Sequence, residues 1–259
     1  MKGLAIFETH AHYDDKSYDV DRDEVLREVF DKGVDRIINV SSDLRSMENT
    51  LELARNYDQI YAAIGIHPDE VYELNENNFQ KVRELSLKDK VVAIGEIGLD
   101  YHRDDHNKDT QRHWFERQMQ LASALGKPVI IHSRDACEDT LDVLREFAHQ
   151  GVRGVMHCYS YSVETARELL KMGYYIGIGG VVTFKNSRKL IEVVDEVPLE
   201  RILLETDCPY MAPTPYRGTR NYSGHLPLIA EKIAAIKDVQ YQKVLEKTYK
   251  NAKDLFLSK

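Results

Sequence analysis

Cysteine is scarce in this chain. Its three, Cys137, Cys158 and Cys208, are an odd number without Cys-x-x-Cys spacing, so no structural disulfide is expected. Long apolar runs are missing too. The longest uncharged stretch, Met172 to Phe184, has 13 residues and is glycine-rich, short of the roughly 20 apolar residues that cross a bilayer. Near the start, the apolar Gly3 to Phe7 is cut off by Glu8, too early for a secretory h-region of about 7–15 residues. A cytoplasmic address and no membrane partner are the expectations. Nor is there an excess of positive charge. The 35 Lys+Arg stand against 43 Asp+Glu, a formal charge of −8, which argues against wholesale electrostatic capture of nucleic acid but leaves room for a local basic patch. Low-complexity tracts, long linkers and compositional breaks are absent as well, so residues 1–259 are expected to form a single domain.

What is present is a repeated alternation. Eight short runs rich in β-branched residues recur: Leu4 to Phe7, Arg36 to Val40, Tyr61 to Ile66, Val91 to Gly95, Pro128 to Ile131, Gly154 to Met156, Tyr174 to Ile178 and Arg201 to Leu204. Each is almost continuously apolar, as strands covered on both faces are. Helical patterns lie between them. From Thr110 to Gly126, Trp114, Phe115, Met119, Leu121, Ala122 and Leu125 fall near i, i+3, i+4 spacing, and Gly126 followed by Pro128 stops the helix. Eight βα units in 259 residues predict a (β/α)8 TIM-type barrel of the α/β class. A doubly wound open sheet is the alternative, but it lacks the glycine-rich dinucleotide fingerprint after its first strand.

In such a barrel the reacting groups lie where strands end. The first run leads to His10 and His12, the third to His67 and Pro68, the fourth to Glu96, the fifth to His132, the sixth to His157, and the eighth to Glu205 and Asp207. All are of metal-binding type. His10 and His12 are two apart in an extended segment, so both imidazoles face the barrel mouth. Singly, each has a dull reading as a hydrogen-bonded structural residue. Jointly they would be costly polar groups in an apolar barrel. His10, His12, Glu96, His132, His157 and Asp207 make six ligands, more than the three or so that one catalytic zinc uses and enough for two ions, with Glu96 the natural bridge. Such a pair supports hydrolysis without a covalent intermediate, and mixed imidazole and carboxylate ligation suits zinc, manganese, iron or nickel better than magnesium. Asp207 can serve as terminal ligand or as proton acceptor. Glu205 either orients an imidazole or acts directly, and His67 either touches substrate or caps its loop.

The substrate is less clearly written. Arg217 and Arg220, after the eighth run, stand where such barrels often bind phosphate, with Lys185 and Arg134 as further cations. They either fork onto phosphate oxygens or pair with neighbouring acids. Tyr101, His102 and Arg103, with Tyr159 and Tyr161, either bind a nucleotide or simply pack. Cys158 and Cys208 sit beside proposed ligands as small residues.

Together these motifs resemble the TatD family of metal-dependent deoxyribonucleases, among the amidohydrolase-like barrels. The likeness runs from about Phe7 to Asn221 and rests on Thr9 to His12, Gly65 to Pro68, Ala93 to Asp100, Ile131 to Ala136, His157 with Cys158, and Glu205 to Tyr210. It implies a two-metal site of His10, His12, Glu96, His132, His157 and Asp207. It also implies hydrolysis of DNA phosphodiesters dependent on magnesium or another divalent ion such as manganese or zinc, exonucleolytic in mode. Three departures bear on specificity. Glu8 stands where the family often has Asp, Tyr159 and Tyr161 replace a usual Phe and Gly, and Tyr222 to His225 replace a usual Glu-Pro. An acidic protein suits single-stranded DNA or ends, where few phosphates need neutralising. Two rivals remain: the same site acting on a small ester, lactone or cyclic amide, and a non-catalytic metal-binding scaffold. The oligomeric state is left open, with a monomer sufficient.

Overall fold

A computed structural model describes residues 5–103 and 107–258. Among the described residues are eight strands: β1 Ile6–Ala11, β2 Val34–Val40, β3 Ile60–Ile64, β4 Val91–Asp100, β5 Val129–Arg134, β6 Gly154–Met156, β7 Tyr175–Ile178 and β8 Ile202–Leu204. They pair in parallel and in sequence order. The helices between and after them are α1 Arg22–Asp31, α2 Ser46–Asn56, α3 Glu76–Ser86, α4 Lys108–Leu125, α5 Cys137–Ala148, α6 Val163–Lys171, α7 Arg188–Glu196, α8 Leu226–Lys237 and α9 Tyr241–Phe256. No described helix is long and apolar enough to cross a membrane.

The sheet nearly closes into a barrel. Ala11 and Cys208 form a parallel bridge, His12 N–H donates to Cys208 O at 2.8 Å, and Asp207 N–H donates to His10 O at 3.0 Å. Because strand side chains alternate faces, the barrel has two cores. One residue or more from each strand, among them Phe7, Val40, Ala63, Ile130 and Leu203, packs in the lumen with Ala252, Leu255 and Phe256 of α9. The opposite faces, with Ile37, Ile94, Ile131 and Ile176, pack against the helices. Burying each such side chain contributes about 1.5–3 kcal/mol.

Strand ends differ from the sequence reading, and Leu4, with which that reading began the first strand, lies outside the described residues. β4 continues beyond Gly95 to Asp100, and β5 beyond Ile131 to Arg134. The reason is mutual pairing: Ile97, Gly98, Leu99 and Asp100 are in register with Ile131, His132, Ser133 and Arg134, so backbone hydrogen bonds extend the strands through polar residues. α4 begins at Lys108, where the Asn107 side chain accepts from Thr110 N–H, and ends on Gly126 at φ +62°, a left-handed position that favours glycine.

Candidate metal centre

The register of β4 is irregular between Ile94 and Ile97, and Glu96 N–H donates to Ser41 O at 3.0 Å. At this irregularity the Glu96 carboxylate, 4 % exposed, lies among five imidazoles. Its two oxygens divide them. Oε2 lies 3.3 Å from His10 Nε2 and 3.8 Å from His12 Nε2. Oε1 lies 3.0 Å from His132 Nδ1, 3.4 Å from His157 Nε2 and 3.9 Å from His67 Nε2. Asp207 Oδ1 joins the first group, 3.8 Å from His10 Nε2 and 3.5 Å from His12 Nε2. The structure therefore brings all six sequence-predicted ligands to one mouth. It also supplies four overlapping groups of candidate donors, three of which include Glu96 or Glu205.

The partners of the remaining ring nitrogens say which face of each ring is free. His12 Nδ1 donates to Val40 O at 2.8 Å, leaving Nε2 a lone pair when the ring is neutral. His67 is the reverse. Its Nδ1 accepts from Asp69 N–H at 3.2 Å, so the neutral ring turns an Nε2–H toward Glu96 and is a donor. His132 Nε2 is held by Asp100 Oδ2 at 2.9 Å, which aims Nδ1 inward. Asp100 was present only as the last residue of a motif and received no role from the sequence. The apolar run that predicts β4 stops at Gly95, so Asp100 lies past the strand end that the sequence marks. His157 Nδ1 lies 3.2 Å from Glu205 Oε1, and the same oxygen accepts Cys158 N–H at 2.5 Å. Room for that carboxylate comes from Gly177, where a Cβ would fall 2.4 Å from Glu205 Oε2. Asp207 sits at φ +59°, a sparsely populated conformation for a non-glycine residue.

The electrostatics follow from burial and neighbours. Burial works against ionisation of Glu96, but charge on His157 and His10 and hydrogen bonds from His10 and His132 hold it well below the usual carboxylate range. Burial likewise opposes protonation of His12, His132 and His157, yet their carboxylate partners raise each to about 9. His67 is pushed by burial and by His132 down to about 3, so it stays neutral. Burial, followed by Asp207 and Glu205, raises the Cys158 thiol well above its ordinary value, which disfavours a thiolate ligand. Beneath the ligands Glu8 is fully buried, accepting from His10 N–H, Thr206 N–H and Thr206 Oγ1, and burial pushes it to about 8.

A divalent ion fits this donor set. Clustered imidazoles with buried carboxylates would otherwise need protons to hold them together, and His10 Nε2 and His12 Nε2, 3.0 Å apart, converge beside the buried Glu96 Oε2.

The expected substrate contacts fare differently. The site opens into a cleft of about 1450 Å³ whose lining includes His67 and Arg134. His102, Arg217 and Arg220 do not line it. His102 is exposed and paired with Asp135 at 2.9 Å. Arg217 lies over the Phe184 ring at 4.0 Å. Arg220 forks onto Asp21 at 2.8 and 2.6 Å, so its donors are spent on an acid from the far end of the chain. Tyr101 is bonded to Asp139 at 2.7 Å, Tyr159 is buried with its hydroxyl on Ser162 O at 2.6 Å, and Tyr161 is bonded to Ser133 at 2.8 Å. Tyr101 and Tyr161 are held by these bonds away from the cleft, whereas Tyr159 also contributes to its lining. All three cysteines are free thiols.

Comparison with known proteins adds to this geometry. The sequence profile of the family described as "TatD related DNase" matches residues 7–257. An uncharacterized metal-dependent hydrolase, YabD of Bacillus subtilis, is 44% identical over 97% of this chain and 98% of its own length. The 3'-5' ssDNA/RNA exonuclease TatD of Escherichia coli is 33% identical over 91% of this chain and 93% of its own. Among solved structures, the TatD homolog YJJV of Escherichia coli superposes with a TM-score of 0.92 at 28% identity, covering 99% of both chains.

Proposed function

This chain belongs to the TatD family of metal-dependent hydrolases, and from that premise we propose that it is a deoxyribonuclease that removes nucleotides from single-stranded DNA ends with two divalent ions. The division of the Glu96 oxygens carries the reading. His10, His12 and Asp207 would hold one ion beside Oε2, and His132 and His157 the other beside Oε1. Two bound ions, magnesium, manganese or zinc, would acidify a water and neutralise phosphoryl oxygens.

The chain's own side chains supply the rest. Asp207, ionised and next to the opening, accepts the proton of the attacking water. Glu205 orients His157, and Asp100 orients His132. Arg134 lines the cleft with no side-chain hydrogen bond or ion pair among the described residues, free to fork onto a phosphate oxygen, and His67 offers its Nε2–H nearby. Residues 1–259 work as one domain, since β1 and β8 both feed the site. The named activity of the Escherichia coli relative supports a 3′ to 5′ direction with RNA as a second substrate, and a cytoplasmic setting agrees with both.

The test is hydrolysis of end-labelled single-stranded DNA by metal-stripped protein resupplied with magnesium, manganese or zinc. Terminal nucleotides should be lost only with metal, and Asp207→Asn should lower kcat by about 10²–10⁴-fold. No hydrolysis of DNA by protein with its ions bound overturns the nuclease reading and turns the search to small esters, lactones and amides.

A further inference from the structure

The cleft has two unlike sides. Beyond His12, the loop after β1, the start of α1, the loop after β2 and α2 line it with Asp14, Asp15, Asp19, Asp23, Asp43 and Glu52, which outnumber Lys16, Arg22 and Arg45 on the same side, and Arg22 is occupied by Asp19 at 2.7 Å. Between this acidic arm and the metal ligands stand Tyr210, 55% exposed, and Met211, 41% exposed. Of the large apolar side chains that are exposed, only these two line the cleft among the described residues. The Tyr210 ring centre is 6.4 Å from that of His12, and its hydroxyl donates to Asp15 Oδ2 at 3.2 Å.

The backbone that presents them is clamped. Asn221 Nδ2 donates to Thr206 O at 3.0 Å and to Tyr210 O at 2.7 Å. Tyr210 N–H donates to Asp207 O at 2.9 Å. On the other side Gly180 packs so closely that a Cβ there would fall 2.2 Å from Met211 O. The backbone is thus fixed while two apolar side chains reach into the cleft beside the candidate metal centre, where their exposure serves no packing purpose.

We propose that Tyr210 and Met211 form a stacking platform for the base of the terminal nucleotide, the one whose phosphodiester lies at the metal ligands; this rests on the nuclease reading above. An aromatic ring beside a thioether accepts any base by its π face, without reading its edges. The occupant is terminal because a further phosphate past Tyr210 would meet Asp15 and the acidic arm. The rest of the strand leaves on the opposite side, past Arg134.

The experiment compares single-stranded oligonucleotides that end either in a normal nucleotide or in an abasic one carrying the same phosphates, with manganese-loaded protein. Wild type should prefer the base-bearing end in kcat/KM by about 5- to 150-fold, the value of one base–aromatic stack. In the Tyr210→Ala, Met211→Ala double variant this ratio should fall toward one, mainly through KM, while Tyr210→Phe, which keeps the ring, should retain it. Equal kcat/KM for both ends in wild type, or an undiminished preference in the double variant, overturns the platform alone. Failure of metal-loaded wild type to hydrolyse either oligonucleotide overturns the nuclease reading and the platform with it.

Discussion

At His12 the bond to Val40 O frees Nε2, and at His67 the bond from Asp69 N–H occupies Nδ1, so two histidines at strand ends have opposite chemistry. Their spacing to the neighbouring apolar runs marks both as site residues; their tautomers depend on backbone atoms that no local pattern reveals. The protonation of the metal-free site carries a pH prediction. His12, His132 and His157 are raised from about 6.5 when unfolded to about 9 in the fold. A raised histidine contributes stability that is fully present below the unfolded value and is lost as pH climbs through the folded one. Glu8, raised to about 8, holds its proton in the fold after the unfolded chain has released it and slopes the same way. Metal-stripped protein should therefore lose Tm between pH 6.5 and 9, and saturating manganese should flatten the slope. A Tm of the stripped protein that rises over that interval contradicts the assigned protonation states.

The elements are tied together by buried amides. Gln111 of α4 accepts Asp100 N–H and donates to Asp100 O, both at 2.9 Å, taking the place of a strand partner at the end of β4. One face further along, Gln118 does the same for Ile66 at 2.8 and 3.1 Å and so holds the loop that carries His67. Gln111→Leu leaves the buried Asp100 N–H and carbonyl without these partners, at about 1–3 kcal/mol for each unsatisfied group. Its denaturant midpoint should fall with the m value unchanged, whereas Gln120→Leu on the exposed face of the same helix should stay within about 0.5 kcal/mol. These clamps were invisible in the sequence, because a glutamine inside an amphipathic helix reads as a solvated position. The strands were legible because strands buried on both faces must be apolar almost throughout. Their ends were not, because an apolar run stops at the first polar residue while the hydrogen bonds of β4 and β5 continue to Asp100 and Arg134.

On the scale of the whole molecule, the barrel and the clustering of six candidate ligands were readable because eight βα repeats leave few closures and because histidine and acid at the ends of apolar runs demand a reason. The loop after β8 misled: Arg220 looks available until Asp21, distant in sequence, is placed beside it. Ligand binding to a site assembled from so many strands should stabilise all of them at once. At a metal concentration 100-fold above Kd the gain is about 2.7 kcal/mol, and at about 2–4 °C per kcal/mol for a chain of this size Tm should rise by about 5–11 °C over the chelator-treated protein. A Tm indifferent to divalent ions would mean that the ions do not bind the folded barrel.

The seam between β1 and β8 has a consequence for biosynthesis. His10 and His12 are made before the other candidate donors, while Asp207, which bonds to His10 across the seam, is made last of the six. A ribosome-bound intermediate, or a product cut short before that point, carries at most five of the six candidate donors on an open sheet and lacks both the last donor and the α9 residues that pack in the lumen. Translation thus delivers the hydrolytic centre as a late, all-at-once event, and truncated chains are born without it.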